Sequence, residues 1–127
     1  MKHPEHEIQS AIVLYLKSIK VLFTSSVAGH ITPNRFQKMR MARAGYIAGT
    51  PDLFIFAARK GYHGMALEVK AGRYPTDEQK QWQSALTAAG WYSVIMPATL
   101  KTPMESVQWA RNTIEAYLDR APYEQEK

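Results

Sequence analysis

The chain has no cysteine, so disulfide staples, thiol nucleophiles and thiolate metal sites are excluded, and any metal must be held by oxygen or histidine. The four histidines, His3, His6, His30 and His63, lack a spacing such as His-x-x-x-His on a helix that would bring two imidazoles to one ion. Oxygen donors remain. Apolar runs are also short. None nears the roughly 20 residues that span a bilayer, and the opening MKHPEHEIQS sets charges and a proline where a signal peptide would be apolar. The expectation is a soluble, cytoplasmic protein without internal repeats or low-complexity segments.

Acid is the scarcer charge. Eleven Asp and Glu stand against sixteen Lys and Arg, which gives a net charge of +5 and a pI near 9.5. That balance points to a polyanionic partner, and its distribution matters more than its total. The stretch PNRFQKMRMARAG, from Pro33 to Gly45, contains Arg35, Lys38, Arg40 and Arg43 and no acid. Proline near its start and glycine at its end mark a helix. Its cations form either an ordinary solvated face or a phosphate-contacting one. At 127 residues and 46% hydrophobic, the chain has enough for one domain with a buried core and too little for two, so a single domain over 1–127 is expected.

Ile8, Ala11, Ile12, Tyr15, Leu16 and Ile19 recur at steps of three and four, which predicts an amphipathic helix over about 5–20 with Glu7 in its first turn. Val21 to Thr24 is β-prone but short, a strand or the helix exit. Asp52-Leu53-Phe54-Ile55-Phe56-Ala57 reads as a buried strand entered through the turn Gly49-Thr50-Pro51, and Met65 to Lys70 as its antiparallel return. Thr76 and Gln79 have capping-box spacing for a helix that Gly90 closes. Trp91 to Met96 is a strand candidate, Thr102-Pro103-Met104-Glu105 starts a last helix running to about Leu118, and the tail from Tyr123 is expected to fray. The order describes an α/β protein with a mixed central sheet flanked by helices. Trp82, Trp91 and Trp109 fall where core packing is their expected use.

Chemistry gathers at one end of the predicted hairpin. Glu68 and Lys70, two apart on a strand, share a face, and Asp52 at the start of the neighbouring strand lies beside them. Two carboxylates supply hard oxygen ligands for a divalent cation, and an ammonium stabilises charge developing on phosphorus or orients water. Glu7 and Gln79, each in the first turn of a helix, are expected to face this corner. Glu-x-Lys alone occurs by chance, and its context carries the information. The bland alternatives are a turn-capping Asp52, a neutral surface pair at Glu68 and Lys70, a dipole-driven Glu7 and a Gln79 that only caps.

In this context the chain resembles the restriction-endonuclease-like nucleases and, within them, the small VRR-NUC family. The resemblance covers most of residues 5–96. Its markers are Glu7 in a Glu-x-x-x-Gln-Ser-Ala-Ile-like setting, Gly49-Thr50-Pro51-Asp52-Leu53, Glu68-Val69-Lys70, and Thr76-x-x-Gln79 leading to Trp82, Leu86 and Gly90. It implies a restriction-endonuclease-like core, Asp52, Glu68 and the Val69 carbonyl as ligands of Mg2+ or Mn2+, Lys70 as the catalytic lysine, and Glu7 and Gln79 as the helix acid and motif glutamine. Where family members often carry Val-Arg-Arg-like residues after Gly90, this chain has Val94-Ile95-Met96-Pro97, without that arginine. Stand-alone members of this size tend to be phage or bacterial homodimers acting on branched DNA, including four-way (Holliday) junctions.

The expectation is therefore a metal-dependent deoxyribonuclease in which Arg35, Lys38, Arg40 and Arg43, with Arg73 and Tyr74 in the loop after Lys70, contact DNA. A rival on the same fold is a DNA-binding or recombination accessory module without turnover. It is disfavoured because carboxylates facing phosphate repel it unless a cation intervenes. A dimeric structural protein ranks last.

Overall fold

Ile8, Ile12, Tyr15, Leu16 and Ile19 line the buried side of α1 (Pro4–Ser18) and its exit in the computed structural model, which describes residues 4–26 and 34–120. Burying each such Ile or Leu contributes roughly 1.5–3 kcal/mol relative to exposure, and this stripe fixes the helix to the sheet. The chain continues through β1 (Phe23–Ser25), α2 (Arg35–Arg43), β2 (Leu53–Ile55), β3 (Met65–Glu68), α3 (Asp77–Ala88), β4 (Tyr92–Ile95) and α4 (Pro103–Leu118). The short β-prone segment after α1 is a strand, because Phe23 pairs with Ile55. The tail from Tyr123, His3, His30 and the Pro33 start signal lie outside the described residues.

The sheet runs β1-β2-β3-β4. The first three strands are antiparallel, and β4 joins β3 in parallel after the α3 crossover, so the sheet is mixed as expected. Alternation along the strands sends Leu53, Ile55, Met65, Leu67 and Val69 into the core with α1 and α4. Phe54, Ala66, Glu68 and Lys70 therefore project to the opposite face. The α1–α4 contact also holds a polar pin: the Tyr15 hydroxyl donates to Glu115 over 3.0 Å, and the Arg111 guanidinium lies 4.6 Å from the Tyr15 ring centre. Burial and the Glu115 carboxylate push the Tyr15 hydroxyl up to about 12.

Capping chemistry sets the helix starts. Asn34 and Thr76 each form a reciprocal capping box, with Gln37 and Gln79, and Thr102 accepts the Glu105 N–H ahead of Pro103. The three tryptophans divide their work. Trp109 packs against the core, Trp91 meets Phe54 and Phe56 edge-on, and Trp82 donates its indole N–H to the Ala48 carbonyl over 3.1 Å. Trp82 is thus a loop anchor where core packing was expected. Among the described residues, no helix is long and apolar enough to cross a membrane.

Candidate active site

The register that pairs Leu53 with Leu67 makes Asp52 and Glu68 the next rung outward, at the open end of the β2–β3 hairpin. Asp52 bonds across this hairpin: its Oδ2 accepts the Val69 N–H over 2.8 Å. Lys70 follows on the same face as Glu68, and both are buried, at 5% and 6% exposure. That burial rules out the solvated surface pair considered from sequence. Asp52, Glu68 and Lys70 converge as the hairpin geometry predicts.

The electrostatics of this corner centre on Glu68. Burial pushes its carboxyl up to about 9, the charge of Asp52 and a hydrogen bond with Asp52 push the same way, Lys70 opposes them, and Glu5 adds a further upward push. The buried Glu68 carboxyl, with the half-buried Asp52 beside it, therefore resists ionisation. Among the described residues, no N–H or O–H donor is placed against the buried Glu68 Oε1. Such an oxygen is costly unless a proton or cation meets it.

The other carboxylate oxygen is held by α3. Gln79 Nε2 donates to Glu68 Oε2 over 3.0 Å while Gln79 Oε1 accepts the Thr76 N–H over 2.9 Å. One amide therefore does both things that the sequence left as alternatives. The loop before Asp52 is pressed onto the same helix start. A Cβ on Gly49 would lie 2.7 Å from the Glu78 carbonyl carbon and Cβ and 2.9 Å from the Gln79 nitrogen, and Gly49 has φ +88°. Only glycine accepts both the approach and the backbone angle. Gly49 thereby brings the Asp52 strand and the Gln79 helix into register, a contact between distant segments that turn chemistry alone does not reveal.

The helix acid at this corner is Glu5. Its Oε2 accepts the Ala71 N–H over 3.3 Å, and its charge acts on Glu68. Glu7, the residue expected here, is exposed. At about 100° per residue, Glu5 shares a face with the buried Ile8, Gln9 and Ile12, whereas Glu7 turns away. The signal was present, because in Glu-x-x-x-Gln-Ser-Ala-Ile the leading residue is Glu5.

Among the described residues, no three His, Asp or Glu side chains form a metal-holding group. The fit to a cation rests instead on two carboxylates, Asp52 and Glu68, an unpartnered buried oxygen on the second, and the Val69 main chain beside them. Such an open, all-oxygen set suits a hard cation that keeps much of its water, as Mg2+ does. Arg35, Lys38, Arg40 and Arg43 are exposed along α2, and Arg73 and Tyr74 are exposed in the loop after Lys70, with Tyr74 at 79%.

No protein-family model matches the sequence, and no curated protein matches it. Among solved structures, one described as a VRR_NUC domain protein superposes with a TM-score of 0.69 at 25% sequence identity, covering 94% of this chain and 91% of its own.

Proposed function

The chain has the VRR-NUC fold, a restriction-endonuclease-like core, and from that premise we propose that it is a divalent-cation-dependent nuclease acting on DNA. The observation that carries this reading is the meeting of Asp52, Glu68 and Lys70 at one hairpin end, with a buried Glu68 oxygen that no donor among the described residues satisfies. In this reading Asp52, Glu68 and the Val69 carbonyl hold Mg2+ or Mn2+. When bound, the cation polarises the phosphate and acidifies water.

The protein's own groups do the rest. Water adds to phosphorus, the bond to one sugar oxygen breaks, and the products are a phosphomonoester and a hydroxyl. Lys70, dry and on the same face as Glu68, supports the negative charge that grows on the phosphoryl oxygens. Gln79 fixes the Glu68 carboxylate so that its free oxygen faces the site. Glu5, half-exposed at the rim, accepts a hydrogen bond from the attacking water. Arg35, Lys38, Arg40 and Arg43, with Arg73 and Tyr74, engage the DNA backbone and displace its counterions.

Branched DNA is the proposed substrate class. Resolving a four-way junction takes two coordinated cuts, so this part of the proposal requires a homodimer with two sites at fixed separation. Cleavage of labelled four-way junction, flap and linear duplex DNA with and without Mg2+ tests it, alongside light scattering. Cation-dependent cutting biased to the junction by a dimeric species is expected. A strictly monomeric species at working concentration argues against junction resolution, and binding without any cutting argues for an accessory module.

A further inference from the structure

Among the described residues, almost nothing packs on α2. None of its residues is buried and Met41 alone is half-buried, so the Met41 side faces the protein. At 3.6 residues per turn, Arg35, Met39, Arg43, Phe36 and Arg40 fall within an arc of roughly 140° opposite Met41. Phe36 is 71% exposed and Met39 48%. Two apolar side chains thus stand in water, flanked by three guanidiniums, on one ridge.

The charge of this ridge selects its occupant. A second copy meeting it face to face would set arginine against arginine, because the helix and its flanks from Asn34 to Tyr46 contain no acid. An acyclic polyanion satisfies the arginines yet offers nothing to Phe36 and Met39. Nucleic acid offers both phosphate and aromatic faces. A continuous duplex hides those base faces in its stack, whereas a branch point, gap or frayed step exposes them.

We propose that Phe36 and Met39 form an apolar wedge that stacks against an unstacked base step in DNA, while Arg35, Arg40 and Arg43 grip the phosphates beside it. The ridge is held relative to the candidate active site. Its C-terminal end leads into the loop that Trp82 anchors at Ala48 and that Gly49 presses onto α3, just before Asp52. The wedge thereby gives the site a preference for discontinuous DNA. This deepens the nucleic-acid reading above, and its test does not depend on cleavage.

Binding in EDTA is measured by anisotropy on gapped, four-way and continuous duplex DNA, with 2-aminopurine placed at the discontinuity, for the full chain and its Phe36→Ala, Phe36→Tyr and Arg40→Ala variants. Phe36→Ala is expected to weaken binding to the gapped and branched DNA about 10-fold, the scale of one lost base–aromatic stack, to abolish the 2-aminopurine change, and to leave duplex affinity and the salt slope unaltered. Phe36→Tyr restores both signals. Arg40→Ala weakens all three DNAs and lowers the salt slope by about one. Equal losses on duplex and discontinuous DNA, no loss at all, or a change in oligomeric state caused by Phe36→Ala overturns the wedge. If binding follows the expected pattern but no DNA is ever cut, the wedge stands and the nuclease reading falls.

Discussion

Gln79 and Glu68 are joined by a 3.0 Å hydrogen bond whose direction is set by helix capping. The amide oxygen of Gln79 is committed to the Thr76 N–H, so its nitrogen must face the carboxylate. The start of α3 and the orientation of the site's most buried acid are therefore one structure.

Gln79→Ala removes both bonds. A loss of about 1 kcal/mol in stability is expected from the cap, together with a roughly 10- to 100-fold loss in kcat of the kind seen when groups orienting a ligand are removed. Gln79→Glu keeps the cap but faces Glu68 with a further acid, beyond Asp52 and Glu5. It should leave stability nearly intact at low pH and still lose activity. Urea unfolding beside steady-state cleavage separates the two effects.

Glu5 and Glu7 give a sharper contrast, because they are two residues apart on one helix. Glu5→Gln is expected to lower kcat by roughly 10-fold, whereas Glu7→Gln, altering an exposed residue on another face, should match the unaltered protein. Equal effects of the two substitutions would remove Glu5 from the site.

The raised Glu68 carboxyl has a definite pH signature. Its folded value is about 9 against an ordinary 4.5, so between these values the folded chain keeps a proton that the unfolded chain releases. Without a divalent cation, its contribution to stability is complete below about 4.5 and is lost as pH rises through about 9. A bound cation competes with that proton, so stabilisation by Mg2+ should grow with pH over the same window. Thermal unfolding from pH 5 to pH 9, in EDTA and in Mg2+, should show the two trends diverging, and Glu68→Gln should flatten both.

Gly49→Ala should be damaging despite its distance in sequence from Glu68. The added Cβ meets the start of α3 at 2.7 Å with φ at +88°, and overpacking of this kind costs roughly 1–3 kcal/mol. A lowered Tm with disproportionate loss of activity is expected, because the loop carrying Asp52 must move away from Gln79.

The elements were legible because their signals are local: helical spacing in α1, a capping box in α3, the Thr102-Pro103 start of α4, and turn residues around β2. Asp52, Glu68 and Lys70 were legible for a related reason, since strand parity and hairpin direction determine which side chains meet. Glu5 was missed through the phase of one helix, where the choice between two glutamates depends on which stripe faces the sheet. The packing of Gly49 on α3 and the anchoring of Trp82 at Ala48 join segments far apart in sequence, and no periodicity encodes such contacts. The basic helix was readable as charge, but the exposure of Phe36 and Met39 follows from how little of the described fold covers it.

The most direct measurement is single-turnover cleavage of a four-way junction in Mg2+ by the unaltered protein and by Lys70→Met, at protein concentrations that saturate binding. Lys70→Met nearly conserves volume at a buried position and removes only the ammonium. A loss of roughly 10²- to 10³-fold in cleavage with DNA affinity retained is the predicted result. Cleavage that persists in Lys70→Met, or in EDTA, would contradict the assignment of this corner as the catalytic site.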